Sequence, residues 1–489
     1  MSAVSSPKPR AGFTTRRGPL ALALAAAAAL GACASQPRLP PPPTPASSAS
    51  LASGESFTAP RADWPADGWW RAYGDAQLGQ LIETALAGAP DMATAKARLA
   101  KAMATADTAR ADLMPSLSAS GFVGQSEESL NSLGFPPQFQ QYLPKGYKGY
   151  GQGALNFSYE IDFWGKNRSA VAAATSDARA VAADAAEARL TLSTAVAASY
   201  ADLARLYAER DVTERSVASR QETLDLASRR VTNGLDTQAE LKQAAAGVPA
   251  ARADLAAIDE QIALTRNQLA ALIGQGPDAG LAIGRPPAAA LKPFGLPDRL
   301  AADLIGRRPD LVAARWRAEA ASKRIGVAKA AFYPNINLTA LAGYESLGLS
   351  KLFTTNSEYG QYGAAISLPI FQGGRLAANL HGARADYDEA VASYDATLIQ
   401  ALREVADAAA SERALDERLT QSREALADDE AAYKVARLRY EGGLANYQSV
   451  LLAEDAVLAA RRNVVDLEAR AFTLDIQLIK ALGGGFTSA

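Results

Sequence analysis

The chain has 489 residues, and its 50 Lys and Arg against 52 Asp and Glu leave a formal net charge of -2 at pH 7, so no global positive field is available to hold nucleic acid. One His (His381) and one Cys (Cys33) exclude Cys/His metal clusters, disulfide scaffolds and any imidazole catalysis not built on His381; no catalytic residue, cofactor or metal site is expected. Hydrophobic residues make up 48%, much of it Ala, yet outside the N-terminus no apolar run approaches the roughly 18 residues of a spanning helix.

Arg10, Arg16 and Arg17 precede an uncharged Ala- and Leu-rich stretch, Gly18 to Ala32, which has the order of a secretory signal. It ends in Leu30-Gly31-Ala32-Cys33, similar to a bacterial lipoprotein box, in which the Cys is acylated after cleavage in front of it. The plainer alternative is an ordinary small-residue cleavage site beside a Cys. Ala34, where an Asp would suggest inner-membrane retention, points to the outer membrane. Residues 1–32 are thus expected to be signal peptide. Residues 33–63, with Pro40 to Pro43 and Ser-rich stretches, are expected to be a lipidated, extended tether.

The rest repeats itself. Pro90-Asp91 pairs with Pro309-Asp310 and Pro115 with Pro334, both 219 residues apart; Gly165 with Gly374, Gly234 with Gly443 and Gly274 with Gly483 are all 209 apart. Four or more anchors in register mean duplication: a first repeat over 64–274, a linker over 275–297, a second repeat over 298–484, and a tail, 485–489.

Within each repeat the period changes. Lys166–Asn233 contains neither Gly nor Pro, and Arg375–Glu441 contains only Gly382. At about 1.5 Å per residue each is a helix ~100 Å long, which only a coiled assembly can accommodate. A tight turn at Gly234 or Gly443 leads into a second helix, interrupted in the first repeat by Gly247 and Pro249, where a kink is expected. The segments Asp91–Leu113 and Asp236–Gly274 together nearly equal the long helix, as do Asp310–Phe332 and Ala445–Gly483. Two short helices end to end would therefore run beside each long one.

Between them lie strand pairs. Leu155, Phe157, Tyr159 and Ile161 alternate with Asn156, Ser158 and Glu160; Ile336, Leu338, Ala340 and Ala342 alternate with Asn335, Asn337, Thr339 and Leu341; Tyr362, Ala364, Ile366 and Leu368 alternate with Gln361, Gly363, Ala365 and Ser367. The weakest strand, Ser116 to Val123, is small and polar. Such segments suit a membrane β-barrel or a soluble sheet with one wet face; the secretory signal and the lipid anchor favour the barrel. Two strands per repeat make four per chain, too few to close, so the chain must oligomerise through its sheet.

Together, Trp69-Trp70-Arg71-Ala72-Tyr73-Gly74-Asp75, the paired Pro-Asp motifs, Tyr159-Glu160-Ile161-Asp162-Phe163-Trp164-Gly165, Leu368-Pro369-Ile370-Phe371-Gln372-Gly373-Gly374-Arg375 and the Gly-Leu turns resemble the outer-membrane channel-tunnel family of tripartite efflux systems (TolC-like), in its lipoprotein, NodT-like branch. The resemblance covers about residues 64 to 484. It implies an α+β membrane protein: a homotrimer with a twelve-stranded β-barrel, four strands per chain, in outer-membrane lipid, and a long α-helical tunnel in the periplasm, girdled by a belt from residues near Trp64–Leu86, Gln275–Pro297 and the C-terminal end.

The resemblance also implies that the periplasmic turns dock a membrane-fusion adaptor, which couples the duct to an inner-membrane RND pump. Those turns are Arg230, Asn233, Gly234, Leu235 and Asp236, and Arg439, Tyr440, Gly442, Gly443 and Leu444. The Gly residues would also cap their helices. The family closes its aperture partly with acidic residues six and nine positions after the second turn Gly; here those are Ser449 and Leu452, with Glu454 just beyond. Glu240, six after the first turn Gly, matches a position that in the family bonds the Tyr before the second turn, so a Glu240–Tyr440 latch is expected. His381 reads as solvated or interhelical, and Trp69 and Trp70 as belt packing. The expected function is a passive exit duct for small toxic compounds. The rivals are the duct of a type I protein-secretion system fed by an ABC exporter and, in another class, a trimeric coiled-coil adhesin.

Overall fold

The computed structural model describes residues 36–127, 129, 136, 138, 142, 145–287, 291 and 294–488. The signal segment and the expected lipidation site, Cys33, lie outside them. One order of elements occurs twice: α1 (Ala76–Gly88), α2 (Pro90–Ala111), β1 (Ser116–Ser126), β2 (Lys148–Ile161), α3 (Lys166–Thr232) and α4 (Gln238–Leu272), then α5 (Leu300–Arg307), α6 (Pro309–Ala330), β3 (Asn335–Leu347), β4 (Glu358–Ser367), α7 (Arg375–Glu441) and α8 (Tyr447–Ala481). The two long helices have 67 residues each and end within a residue of the spans Lys166–Asn233 and Arg375–Glu441. Among the described residues no helix is long and apolar enough to cross a membrane. The chain divides into two compact units, one containing residues 105–174 and 320–387 with the segment before 43, the other containing 43–104, 175–319 and 388–489.

The first unit holds one antiparallel sheet in the order β1-β2-β3-β4, the two repeats being joined where β2 pairs with β3. The register sorts side chains by face. Leu117, Phe157, Ala340 and Tyr362 form one cross-strand row, while Ser118, Asn156, Leu341 and Gln361 form the next row on the opposite face. On that second face Asn156 Nδ2 donates to Ser120 Oγ (3.0 Å) and Ser158 Oγ donates to Asn337 Oδ1 (3.1 Å). The apolar face is bare: Leu117 is 69% and Tyr362 92% exposed. Among the described residues β1 and β4 each have a single partner strand, so both edges carry unpaired peptide groups.

The second unit has one main core per repeat. Leu78, Leu81, Ile82 and Ala85 of α1, spaced for one helix face, pack with Val196, Tyr200 and Leu203 of α3, Leu269 of α4, and Trp69, Trp70 and Tyr73. Asp75 caps α1 by accepting from the backbone N–H groups of Gln77 (2.8 Å) and Leu78 (3.1 Å). In the second repeat Leu300 and Leu304 of α5 pack with Leu398 and Val405 of α7 and Leu478 of α8. Each fully buried Leu or Ile contributes about 1.5–3 kcal/mol. The end of α4 abuts the α1–α2 junction, since a Cβ on Gly274 would lie 3.0 Å from Ala89 Cα; likewise a Cβ on Gly483 would lie 2.0 Å from Arg307 O. This is the end-to-end placement the segment lengths imply. The helix α4 is unbroken from Gln238 to Leu272, with Pro249 inside it.

The described part of the tether is not free. In the first unit Gln36 Nε2 donates to Lys329 O (3.3 Å), Arg384 Nη2 donates to Pro41 O (2.7 Å), and Leu39 packs on Phe332, Leu376 and Leu380. In the second unit the Ala46 N–H donates to Asp395 Oδ1 (2.8 Å), while Leu51, Phe57 and Trp64 cover the second repeat's core. Residues 60–62 bond Leu296 in a short parallel bridge. The scattered Leu and Phe give this Pro-rich segment apolar area to bury, and its extended backbone leaves carbonyls free for Arg donors.

Candidate functional site

The two turns fold alike. Each helix ends on a Gly in the left-handed region (Gly234 φ 69, Gly443 φ 76), which a side chain would strain. The Leu after it closes the last turn: the N–H of Leu235 donates to Arg230 O (2.9 Å) and that of Leu444 to Arg439 O (2.7 Å), a Schellman closure. Both Leu side chains project into solvent, 63% and 74% exposed. Asn233, Gly442 and Arg439 are exposed beside them. Along α7 and α8 an open groove of about 660 Å³ is lined by Ala432, Val435, Ala436, Leu444, Ala445 and Ser449.

Arg230 departs from its expected role. Rather than facing a partner it is buried and occupied within the chain. Its Nε and Nη2 donate to the two carboxylate oxygens of Asp236 (2.9 and 3.2 Å), its Nη1 donates to Tyr440 O (2.7 Å), and its guanidinium lies over the Tyr440 ring, 4.4 Å from the centroid. Tyr440, fully buried, donates its hydroxyl to Asp236. Burial alone would raise the Asp236 pKa, but the hydrogen bonds from Arg230 and Tyr440, with the Arg230 charge, hold it below the usual carboxylate value. Burial first, then Asp236, pushes the Tyr440 phenol up. The turn of the first repeat is thereby clamped onto the end of α7.

The expected Glu240–Tyr440 latch is not formed. Glu240 is occupied at the start of α4, where its Oε2 accepts from the Thr237 N–H (2.6 Å) in a capping box. Tyr440 finds the nearer Asp236. Ser449 is bonded to Asn446 as part of the α8 cap, and Leu452 is exposed. Glu454 does not join an exposed acidic rim either: it is 3% exposed, tucked among α3, α7 and α8.

Further along, Arg220 Nη2 of α3 donates to Asp455 Oδ1 of α8 (2.8 Å). It passes α4 at Gly247, where an added Cβ would sit 3.0 Å from Arg220 Nη1. The missing side chain of this glycine leaves room for the guanidinium. Arg437 of α7 joins the lacing by donating to Glu222 of α3 (3.0 Å). Neither contact was foreseen. The available signal was the unequal repeat, with Gly247 facing Ala456 and Asp236 facing Ala445 at the common offset of 209.

The family described as "Outer membrane efflux protein" matches residues 81–275 and 300–484. The fusaric acid resistance protein FusA of Burkholderia cepacia is 40% identical over 339 residues, which are 66% of this chain and 61% of FusA. The chain thus spans less than two thirds of that relative. The multidrug resistance outer membrane protein MdtP of Escherichia coli is 33% identical over 87% of this chain and 88% of its own length. Among solved structures, the outer membrane protein VceC of Vibrio cholerae is 44% identical and superposes with a TM-score of 0.80, covering 86% of this chain and 100% of VceC. The matched spans, the duplicated helix–sheet order and the two-faced sheet agree, and the chain belongs to the outer membrane efflux protein family.

Proposed function

We propose that three copies of this outer membrane efflux protein join their sheets edge to edge into one twelve-stranded barrel, with a helical tunnel in the periplasm, as a passive exit duct without turnover of its own. The observation that carries this reading is the sheet, with one apolar face exposed, an opposite face that is mainly Ser, Asn and Gln with Leu341 among them, and two edges without a partner strand among the described residues. In lipid each unmet peptide group costs several kcal/mol, and barrels begin at about eight strands. Further copies supply the missing edges.

A periplasmic adaptor docks on Asn233, Leu235, Arg439 and Leu444 and the groove beside them, and an inner-membrane RND pump supplies the energy. Gly234, Gly442 and Gly443 shape those turns, while Arg230, Asp236 and Tyr440 hold them. The names of FusA and MdtP, one tied to fusaric acid and one to multiple drugs, favour small toxic organic compounds as cargo. Acylation at Cys33 fits the seating of Gln36 and Leu39 beside the α6–β3 and β4–α7 junctions of the sheet unit. The test is reconstitution: purified protein runs as a trimer in detergent and conducts ions across planar bilayers, and deleting it sensitises cells to small organic toxicants. A monomer without conductance overturns the reading.

A further inference from the structure

Glu454 is a buried acid that the duct function leaves unused. It is 3% exposed on α8, and its Oε1 has no hydrogen-bond partner among the described residues. The Ser219 hydroxyl of α3 lies close enough to favour the charged carboxyl and meets the Tyr433 hydroxyl of α7 at 3.0 Å. The cations nearby form their ion pairs with other acids, Arg220 of α3 with Asp455 (2.8 Å) and Arg437 of α7 with Glu222 (3.0 Å) and Glu441 (3.2 Å), although Arg220 Nε is buried without a hydrogen-bond partner among the described residues. Tyr447 and Asp455 of α8 complete the groups whose charge or hydroxyl acts on it, and α4 enters only by meeting Arg220 at Gly247. On its own helix the acid is flanked by buried Val450 and Val457, and Val450 packs in an apolar cluster with Ala227, Tyr440 and Tyr447. An ionised carboxylate here gives up water without an ion pair to a cation among the described residues.

We propose that Glu454 is a protonation switch for the tunnel end: as the neutral acid it stays inserted in the α3–α7–α8 seam and keeps the hairpins together, and on giving its proton to bulk water it leaves the seam and the hairpins part. The proposal rests on the duct reading. Burial raises the pKa of the seated acid; the Ser219 hydroxyl and the Arg220 and Arg437 charges offset part of that, and Asp455 adds to it. The seated conformer therefore holds the proton more tightly than a solvated one. Seating is strongest below the solvated acid's ordinary value, weakens as pH rises from there through the raised one, and changes no further above it. The Asp236 clamp works in the opposite sense, since its lowered pKa means it is lost only on stronger acidification.

The experiment is single-channel recording on the reconstituted full chain from pH 4.5 to 7.5, comparing wild type with Glu454→Gln and Ser219→Ala. Wild type opens more as pH rises, the open-to-closed ratio changing by up to about tenfold per pH unit within the titrating range. Glu454→Gln, unable to ionise, stays at the acid-side level throughout. Ser219→Ala, which removes the hydroxyl favouring the charged form, moves the midpoint to higher pH. A pH-independent wild type, a Glu454→Gln profile that follows wild type, or an unmoved Ser219→Ala midpoint overturns the switch. If Glu454→Gln does not assemble, the Ser219→Ala midpoint decides. Absence of conductance in all proteins at every pH sinks the duct reading instead.

Discussion

Arg230 and Asp236 face each other across the turn at Gly234, joined by two hydrogen bonds with both side chains less than a tenth exposed. They are six residues apart, a spacing no helix face brings together; the left-handed Gly234 folds the chain back so that the fork of one meets the carboxylate of the other. Tyr440 closes the third side. The two side chains are covered, while the neighbouring Asn233, Gly234 and Leu235 are exposed. The strength of the cluster therefore comes from directed hydrogen bonds more than from long-range charge.

Breaking that clamp loosens the tip without unfolding the chain. Arg230→Ala and Tyr440→Phe each cost about 1–3 kcal/mol, because each leaves a covered polar partner unmet. Both raise the resting conductance of reconstituted channels and admit large antibiotics into cells. The double variant costs less than the sum of the singles, since the two residues share Asp236. Additive losses in thermal unfolding and in conductance would show that the three groups do not act together.

Glu240→Ala gives a contrasting result. Its carboxylate caps α4, so the substitution costs about 0.5–2 kcal/mol of helix stability and leaves the Asp236–Tyr440 bond in place. Conductance and dye entry stay at wild-type levels. A leak equal to that of Tyr440→Phe would return the latch to Glu240.

Acidification acts on the same clamp. The Asp236 carboxyl is held below its ordinary value of about 3.9, so its contribution is complete above that value and is lost as pH falls through the lowered one. In the Glu454→Gln background, where the other switch is silent, leak conductance rises only below about pH 4. Adding Asp236→Asn brings that leak to neutral pH.

Much of this architecture was legible because two periods dominate it. The alternation in Leu155–Ile161 and Tyr362–Ile366 declared the faces of β2 and β4, and the absence of Gly and Pro over Lys166–Asn233 declared α3 almost to the residue. What was not legible depends on neighbours that only folding supplies. Gly247 reads, with Pro249, only as the place of a kink until Arg220 is seen lying against it. Pro40 to Pro43 read as a free tether until Leu39 and Phe57 are seen covering apolar cores. Arg230 carries the residue type of a docking donor, and only the backbone reversal at Gly234 shows that its donors are already taken.

The helix junctions give a test at glycine. Gly483 has a left-handed φ of 87, and a Cβ there would fall 2.0 Å from Arg307 O, whereas at Gly274 the nearest atom would be 3.0 Å away. Backbone cannot yield as a side chain can. Gly483→Ala therefore costs at least about 1–3 kcal/mol from the backbone conformation alone, with the clash added, and Gly274→Ala costs less. Thermal unfolding of the purified assembly should rank them in that order; equal melting temperatures would mean that α8 does not butt against the α5–α6 junction.

The sheet gives the sharpest contrast, because register places chemically similar substitutions in opposite surroundings. Leu155 lies on the apolar face, in the row of Ala119 and Ala342, and Asn156, the next residue, lies on the polar face with Ser118 and Leu341. If the apolar face meets lipid, Leu155→Arg costs about 2–4 kcal/mol near the bilayer midplane, and heat-resistant oligomer in outer-membrane fractions falls sharply. Asn156→Arg faces water in the lumen, leaves assembly intact and lowers cation conductance through its added charge. A soluble sheet with one wet face would tolerate Leu155→Arg at its exposed position, so equal assembly of the two variants would remove the barrel. Loss of assembly in Leu155→Arg alone, with altered ion selectivity in Asn156→Arg alone, leaves a lipid-facing wall and a water-filled interior as the only arrangement in which adjacent residues of one strand behave so differently.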